Sequence, residues 1–113
     1  MLYTGRVGLS LPGTLDIPVK GQHPFGKMFA PTWDMVMEYK KGTLSEAEYT
    51  QQYMSLITRP GMGRAIKQIV KAAVVYDVYL LCYCPKDAFC HRKLLYNHIL
   101  QVAPIVVGGG ELS

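Results

Sequence analysis

Three cysteines, a histidine and an arginine crowd one stretch of the chain. Cys82, Cys84 and Cys90 fall within nine positions, and His91 and Arg92 follow directly. The stretch lies between an apolar run, Asp77 to Tyr83, that reads as a buried strand, and a helical pattern from His91 to Val102 stopped by Pro104. At a helix start, unpaired backbone N–H groups point outward and the dipole favours negative charge. A thiol placed there, beside an imidazole and a guanidinium, is expected to ionise below the ordinary range. That makes Cys90 a candidate nucleophile and His91 its proton carrier. The same N–H groups together with Arg92 form a seat for a phosphate or carboxylate.

Other chemistry fits the same residues. Cys82 and Cys84, two apart on extended chain, project to one face. With Cys90 and His91 they supply four ligands of the zinc type, although C-x-C-x5-C-H departs from the usual knuckle and adjacent ligands at a helix start are awkward. No cofactor is expected from the residues alone, and zinc on Cys82, Cys84, Cys90 and His91 stays as the alternative. The bland reading is a set of small buried thiols with Arg92 pairing structurally.

Weaker candidates lie elsewhere. Asp16, in the apolar run Leu15 to Val19, either caps a turn or points into the pocket as a base or an orienting group. Lys20, four residues on, is within reach of a phosphate. Glu111, after three glycines, either folds back over the site or belongs to a frayed tail. His23 and Lys27 read as solvated loop residues, and His98 as a core histidine. Tyr49 and Tyr53 read as core rings whose hydroxyls reach a cleft. Arg64, Lys67 and Lys71 form a basic stripe that reads as a solvated helix face.

The elements that must position these groups follow from pattern. The 113 residues are 50% hydrophobic and 18% charged, which excludes a disordered chain and suits one domain over residues 1–113. Leu2 to Val7, Leu15 to Val19, Asp77 to Tyr83 and Ile105 to Val107 read as short strands, with Pro18 demoting the second to an edge. Thr32 caps a helix whose Trp33, Val36, Met37 and Lys40 share a face up to Gly42. Ser45 and Glu48 make a capping box for the next, with Tyr49, Tyr53, Leu56 and Ile57 on one stripe. Ile66, Ile69, Val70 and Ala73 mark a third helix from Met62, and Leu95, His98, Ile99 and Val102 the inner stripe of the last. Strands alternating with helices predict an α/β fold: a small, mainly parallel sheet of three to five short strands flanked by about four helices. In such sheets ligands bind beyond the carboxyl ends of the strands, where the Cys-His-Arg turn falls.

Composition narrows the partners. No apolar run reaches the roughly 18 residues of a membrane span, and the first ten residues lack the apolar core of a signal peptide. A membrane is therefore not an expected partner, and the cytoplasm is the expected location. Clustered cysteines argue against a secreted disulfide scaffold. Twelve basic and eight acidic residues give a net charge of +4, which suits a phosphate-bearing ligand or a nucleic acid without demanding either. The high apolar content leaves surface for a homodimer interface.

The run from Tyr79 through Cys82, Cys84, Cys90, His91 and Arg92 to Leu95 resembles the signature of domain-of-unknown-function family 488. That signature is an apolar strand ending in Cys, a short loop, and Cys-His-Arg opening a helix. Leu15 to Lys20 is similar to the family's early Leu-Asp-x-x-x-Lys strand, and Phe29 to Trp33 to its Phe-Ala-Pro-Ser/Thr-Trp helix start. Gly42 to Tyr53 resembles the helix with two tyrosines four apart, and Gly110-Glu111 a frequent Gly-Glu near the end. The resemblance implies a compact α/β domain with its turn at a pocket, in a family of bacterial, archaeal and phage proteins without a settled activity. The shared polar set is Asp16, Lys20, Cys82, Cys90, His91 and Arg92, with Cys84 and Glu111. Pro18 departs from the family's hydrogen-bonding residue, and the segment Arg59 to Gly63 is short.

The function expected from these readings is recognition of a phosphate-bearing nucleotide or nucleic-acid group by the Cys-His-Arg turn, with or without cysteine catalysis. In the catalytic version Cys90, His91 and Asp16 react, while Arg92, Lys20, Cys82, Cys84 and Glu111 bind. The alternatives are a module that sequesters a nucleotide-like small molecule and a Cys/His zinc domain.

Overall fold

Val78 to Cys82 is a run of apolar β-formers, as suits a strand paired on both edges. In the computed structural model, which describes residues 1–8, 12–18, 25–85 and 88–112, it lies inside a four-stranded sheet. The strands are β1 (Leu2–Arg6), β2 (Thr14–Asp16), β3 (Val78–Cys82) and β4 (Gly108–Glu111), in the order β2-β3-β1-β4, all parallel. Four helices accompany them: α1 (Trp33–Lys41), α2 (Glu46–Ile57), α3 (Met62–Val75) and α4 (His91–Val102), with a 3-10 turn at Gly26–Phe29. The chain is an α/β domain as its alternating pattern predicts, and no described helix is long and apolar enough to cross a membrane.

Local signals set the helix ends. The Thr32 hydroxyl accepts from the Met35 N–H at 3.2 Å and caps α1, and Gly42 closes it in the left-handed region. Ser45 and Glu48 form the reciprocal capping box of α2. Register then decides what faces the helices. Leu2, Leu15, Val78 and Leu80 share one side of the sheet by alternation and join Tyr53, Ile57, Ile66, Ile69, Leu95 and Ile99 in a single core. Tyr3 and Tyr79, paired in register, stack on the other side with centroids 5.0 Å apart.

Two expectations need correction. The last strand is not Ile105 to Val107. Those residues lie in a turn after Pro104, where the Val106 N–H donates to the Ala103 carbonyl, and pairing with β1 starts only at the Val107 carbonyl. The glycines form the strand because Tyr3 on one side and Tyr96 and Leu100 on another occupy the space that Cβ atoms at Gly109 and Gly108 would need. Similarly, Val102 is exposed, and the buried stripe of α4 is His91, Arg92, Leu95 and Ile99. The polar head of the motif is thus part of the interior.

The register of β4 carries a consequence. Leu2 pairs with Gly108 but Tyr3 with Gly110, so one residue, Gly109, is extra on β4. This bulge puts Glu111 rather than Gly110 beside Thr4, on the side of the sheet that α4 covers.

Glycine substitutions test the backbone reading. Gly13 has φ +81°, and a Cβ there would run into the Asp77 backbone carbonyl. Gly13→Ala is expected to lower stability by about 1–3 kcal/mol. Gly63, in α3 with open space around it, should gain up to about 1 kcal/mol as Ala. Urea denaturation of both variants checks the opposite signs.

Candidate functional site

β3 delivers Cys82 to the carboxyl end of the sheet. There the ladder finishes with the Ile17 N–H donating to the Leu81 carbonyl and the Val7 N–H to the Cys82 carbonyl. Cys84 follows in a bend, its Sγ 3.9 Å from that of Cys82. Cys90 is the N-cap of α4 in extended conformation, and His91 is the first helical residue. This change of backbone direction turns two consecutive side chains toward one point, so Cys90 Sγ lies 3.7 Å from His91 Nδ1. The adjacency that looked awkward for a ligand pair is thereby resolved. Cys82 Sγ is 3.9 Å from the same nitrogen, and the ligand atoms of Cys82, Cys90 and His91 all lie within 4.8 Å of one another.

The imidazole tautomer follows from its partners. His91 Nε2 is 2.8 Å from the Ile17 carbonyl, which can only accept, so Nε2 carries the proton. Nδ1 then presents a lone pair to the sulfurs. Burial lowers the His91 pKa to about 4, against the lift from the Ile17 carbonyl, so the ring is neutral at pH 7. Tyr53 stands edge-on to the ring at 5.5 Å, and its own hydroxyl donates to the Phe29 carbonyl.

The thiols do not ionise in the expected order. Cys90 is pushed up, because its S–H is engaged with Cys82 and Cys84 and because it is buried. Cys84 is held well below the ordinary thiol range, first by hydrogen bonds from Cys82 and then from Cys90. The thiol whose pKa is lowered is thus the half-buried Cys84, and not Cys90 at the helix start. For Cys90, burial and donation to its neighbours outweigh the helix dipole.

Arg92 also differs from expectation. It has no exposed surface, and all five of its N–H groups meet protein acceptors. Nε donates to Glu111 Oε1 at 3.1 Å and Nη2 to Glu111 Oε2 at 3.1 Å. Nη1 donates to the Cys84 carbonyl at 2.8 Å and approaches Cys90 Sγ at 3.9 Å. Nη2 also donates to the Pro85 carbonyl at 3.0 Å. The Thr4 hydroxyl completes the set, donating to Glu111 Oε1 at 2.5 Å. Arg92 and Glu111 thus hold the turn together and leave no donor for a phosphate. The C-terminal segment folds back, as one of its two readings had it, but onto Arg92.

A pocket of about 350 Å³ opens over the cluster. Cys82, Cys84, Cys90 and His91 line it, with Trp33, Val36, Tyr39 and Lys40 of α1, Tyr49 of α2, and Phe89 and Pro18. Tyr39, Tyr49 and Phe89 touch one another, with centroids 5.2 to 5.7 Å apart. Among the described lining residues Lys40 is the one cation and none is acidic. Asp16 is not part of this wall. It pairs in register with Leu81 and so points to the sheet side opposite Leu80 and Cys82. Lys20 and His23 lie outside the described residues. The α1 stripe Trp33, Val36 and Lys40 was visible as a shared helix face, but nothing in its pattern says that it faces a pocket while Met35 enters the core. Phe89 and Tyr39 had no signal of their own.

An all-parallel α/β sheet with a Cys-His-Arg turn at its carboxyl edge defines the class of domain. The family model of DUF488-N3a, described as the active DUF488-N3 subclade, matches residues 23–103, and the chain belongs to that family. The matched span holds the four helices, β3 and the whole cysteine cluster. No curated protein and no solved structure matches the chain.

Two measurements follow. Glu111→Ala leaves a buried guanidinium without its counter-charge and should cost about 3–5 kcal/mol, whereas Glu111→Gln, which keeps one acceptor oxygen, should cost less, about 1–3 kcal/mol. Chemical denaturation distinguishes them. The lowered His91 pKa predicts a pH slope. Between about 6.5 and about 4 the unfolded chain binds a proton that the folded chain refuses, so stability falls as pH drops through this window, by on the order of 3 kcal/mol. The groups facing the ring are Cys82, Cys84, Cys90, Tyr53 and Arg92. Of these, Cys84, also depressed, adds a slope of the same sign. Denaturation midpoints in the presence of a chelator, from pH 7 to pH 4, check this, and a flat profile contradicts it.

Proposed function

We propose that this chain works through a soft-metal centre at the floor of an aromatic pocket, with Cys82, Cys90 and His91 as inner ligands, Cys84 on the pocket side, and zinc as the ion. One observation carries the reading. Cys82 Sγ and Cys90 Sγ stand 3.9 and 3.7 Å from His91 Nδ1, and the three donor atoms lie within 4.8 Å of one another. Those separations suit three corners of a tetrahedron around an ion with metal–sulfur bonds of about 2.3 Å and metal–nitrogen bonds of about 2.0 Å, with the fourth corner toward the pocket. The Nε2–H bond to the Ile17 carbonyl is the outer partner that fixes a ligating histidine. Zinc held there would polarise or activate what sits in the pocket.

Elemental analysis of the freshly purified chain should find about one zinc per molecule. Cobalt substitution should give the thiolate charge-transfer absorption of tetrahedral sulfur ligation. Cys82→Ser and Cys90→Ser should each weaken retention, read as loss of the zinc-dependent rise in melting temperature. A folded wild-type chain with no zinc, no cobalt-thiolate absorption and no stabilisation by added zinc overturns the proposal.

A second reading, favoured by the pocket wall, concerns the occupant. Trp33, Tyr39 and Phe89 offer ring faces and Lys40 a cation, which suits a nucleotide-like molecule with its base among the rings and its phosphate at Lys40. Trp33 is the chain's single tryptophan, so its fluorescence reports binding directly. Lys40→Glu should weaken a nucleoside monophosphate by about tenfold while sparing the nucleoside. Equal effects on the two ligands remove the phosphate from this reading.

A further inference from the structure

The three thiols of the cluster are not equivalent toward the pocket. Cys82 and Cys90 are each 3% exposed, and each is backed by the core and α4. Cys84 is half-buried, lies beyond the end of β3, and has its backbone carbonyl pinned by Arg92 at 2.8 Å. A side chain on a pinned backbone that faces a cavity keeps its aim. The cavity wall around it is made of rings, with Lys40 as its cation and no carboxylate among the described lining residues. Such a wall holds a flat apolar group and receives a departing anion.

We propose that Cys84 is the nucleophile of this chain, and that its substrate class is an electrophilic saturated carbon attached to a flat aromatic group and bearing an anionic leaving group. The proposal rests on the reading of the cysteine cluster as the working centre. In the step, the Cys84 thiolate gives its electron pair to the carbon and an S–C bond forms. The bond from carbon to the leaving group breaks, and that group departs as an anion with the bonding pair toward Lys40. Cys84 ends as a thioether, and nothing is oxidised or reduced. The proton that the Cys84 thiol gives up passes to solvent through the mouth of the pocket.

Benzyl bromide and ethyl bromide serve as probes on the 113-residue chain, with rates normalised to those of free cysteine, and with zinc content measured on the same samples. Peptide mapping should place the first benzyl adduct on Cys84. The normalised benzyl rate should exceed the ethyl rate by about tenfold, and Phe89→Ala should reduce that ratio. Cys84→Ser should abolish the fast adduct while its circular dichroism stays that of the wild type. A first adduct on Cys82 or Cys90, or a benzyl preference no larger than that of free cysteine, overturns the proposal. Cys84-selective reaction in a chain without zinc overturns the metal reading and leaves this one standing. Zinc-bound protein without Cys84 selectivity does the reverse.

Discussion

A guanidinium removed from water has to find an acceptor for every N–H it carries, and Arg92 finds them in three different parts of the chain. The carboxylate comes from β4, two carbonyls come from the turn after β3, and a sulfur comes from the helix cap. Thr4 of β1 then takes up Glu111 from the other side. Ion pairs of this kind seldom stabilise a fold more than apolar residues of equal volume would. What they supply is geometry, because the fork of Arg92 accepts one arrangement of its partners. The turn that carries Cys84 is held by its own carbonyl oxygens. The sheet edge is held by a side chain as well as by its backbone pairs.

The division of labour within the motif follows from that clamp. Arg92 points away from the pocket and His91 toward it, though they are neighbours on one helix, since consecutive helical residues are about 100° apart. The imidazole is aimed by a backbone carbonyl of the segment after β2, and the thiols by the ends of β3 and α4. Each chemical group is therefore positioned by a different element, and those elements meet at the carboxyl edge of the sheet. This is the place where parallel α/β sheets gather ligands.

Much of the frame was legible from residue types. Thr32, Ser45 with Glu48, and the Pro104 stop are local signals, and the helices begin and end where those signals say. The uninterrupted apolar run before Cys82 identified the central strand, and the clustering of three cysteines identified the site. What could not be read is the direction of side chains whose partners are distant in sequence. Arg92 and Glu111 are 19 positions apart, and only the fold shows that they neutralise each other instead of a ligand. Asp16 looked like a pocket residue because its apolar neighbours suggested burial, but the strand's alternation assigns it to the opposite side. Ile105 to Val107 looked more like a strand than the glycines after it, since β-propensity measures packing surface. Here the packing surface belongs to Tyr3 and Tyr96.

The extra residue at Gly109 has an evolutionary and engineering corollary. Three glycines before an acid resemble a spacer whose length is free to drift. Because side chains in a strand alternate sides, the count between the Val107 carbonyl and the carboxylate has a parity, and the bulge sets it. Removing or adding a single glycine would swing Glu111 to the far surface of the sheet and strand a buried cation, whereas exchanging residues that keep the count would not. In this tail, length is under tighter constraint than composition.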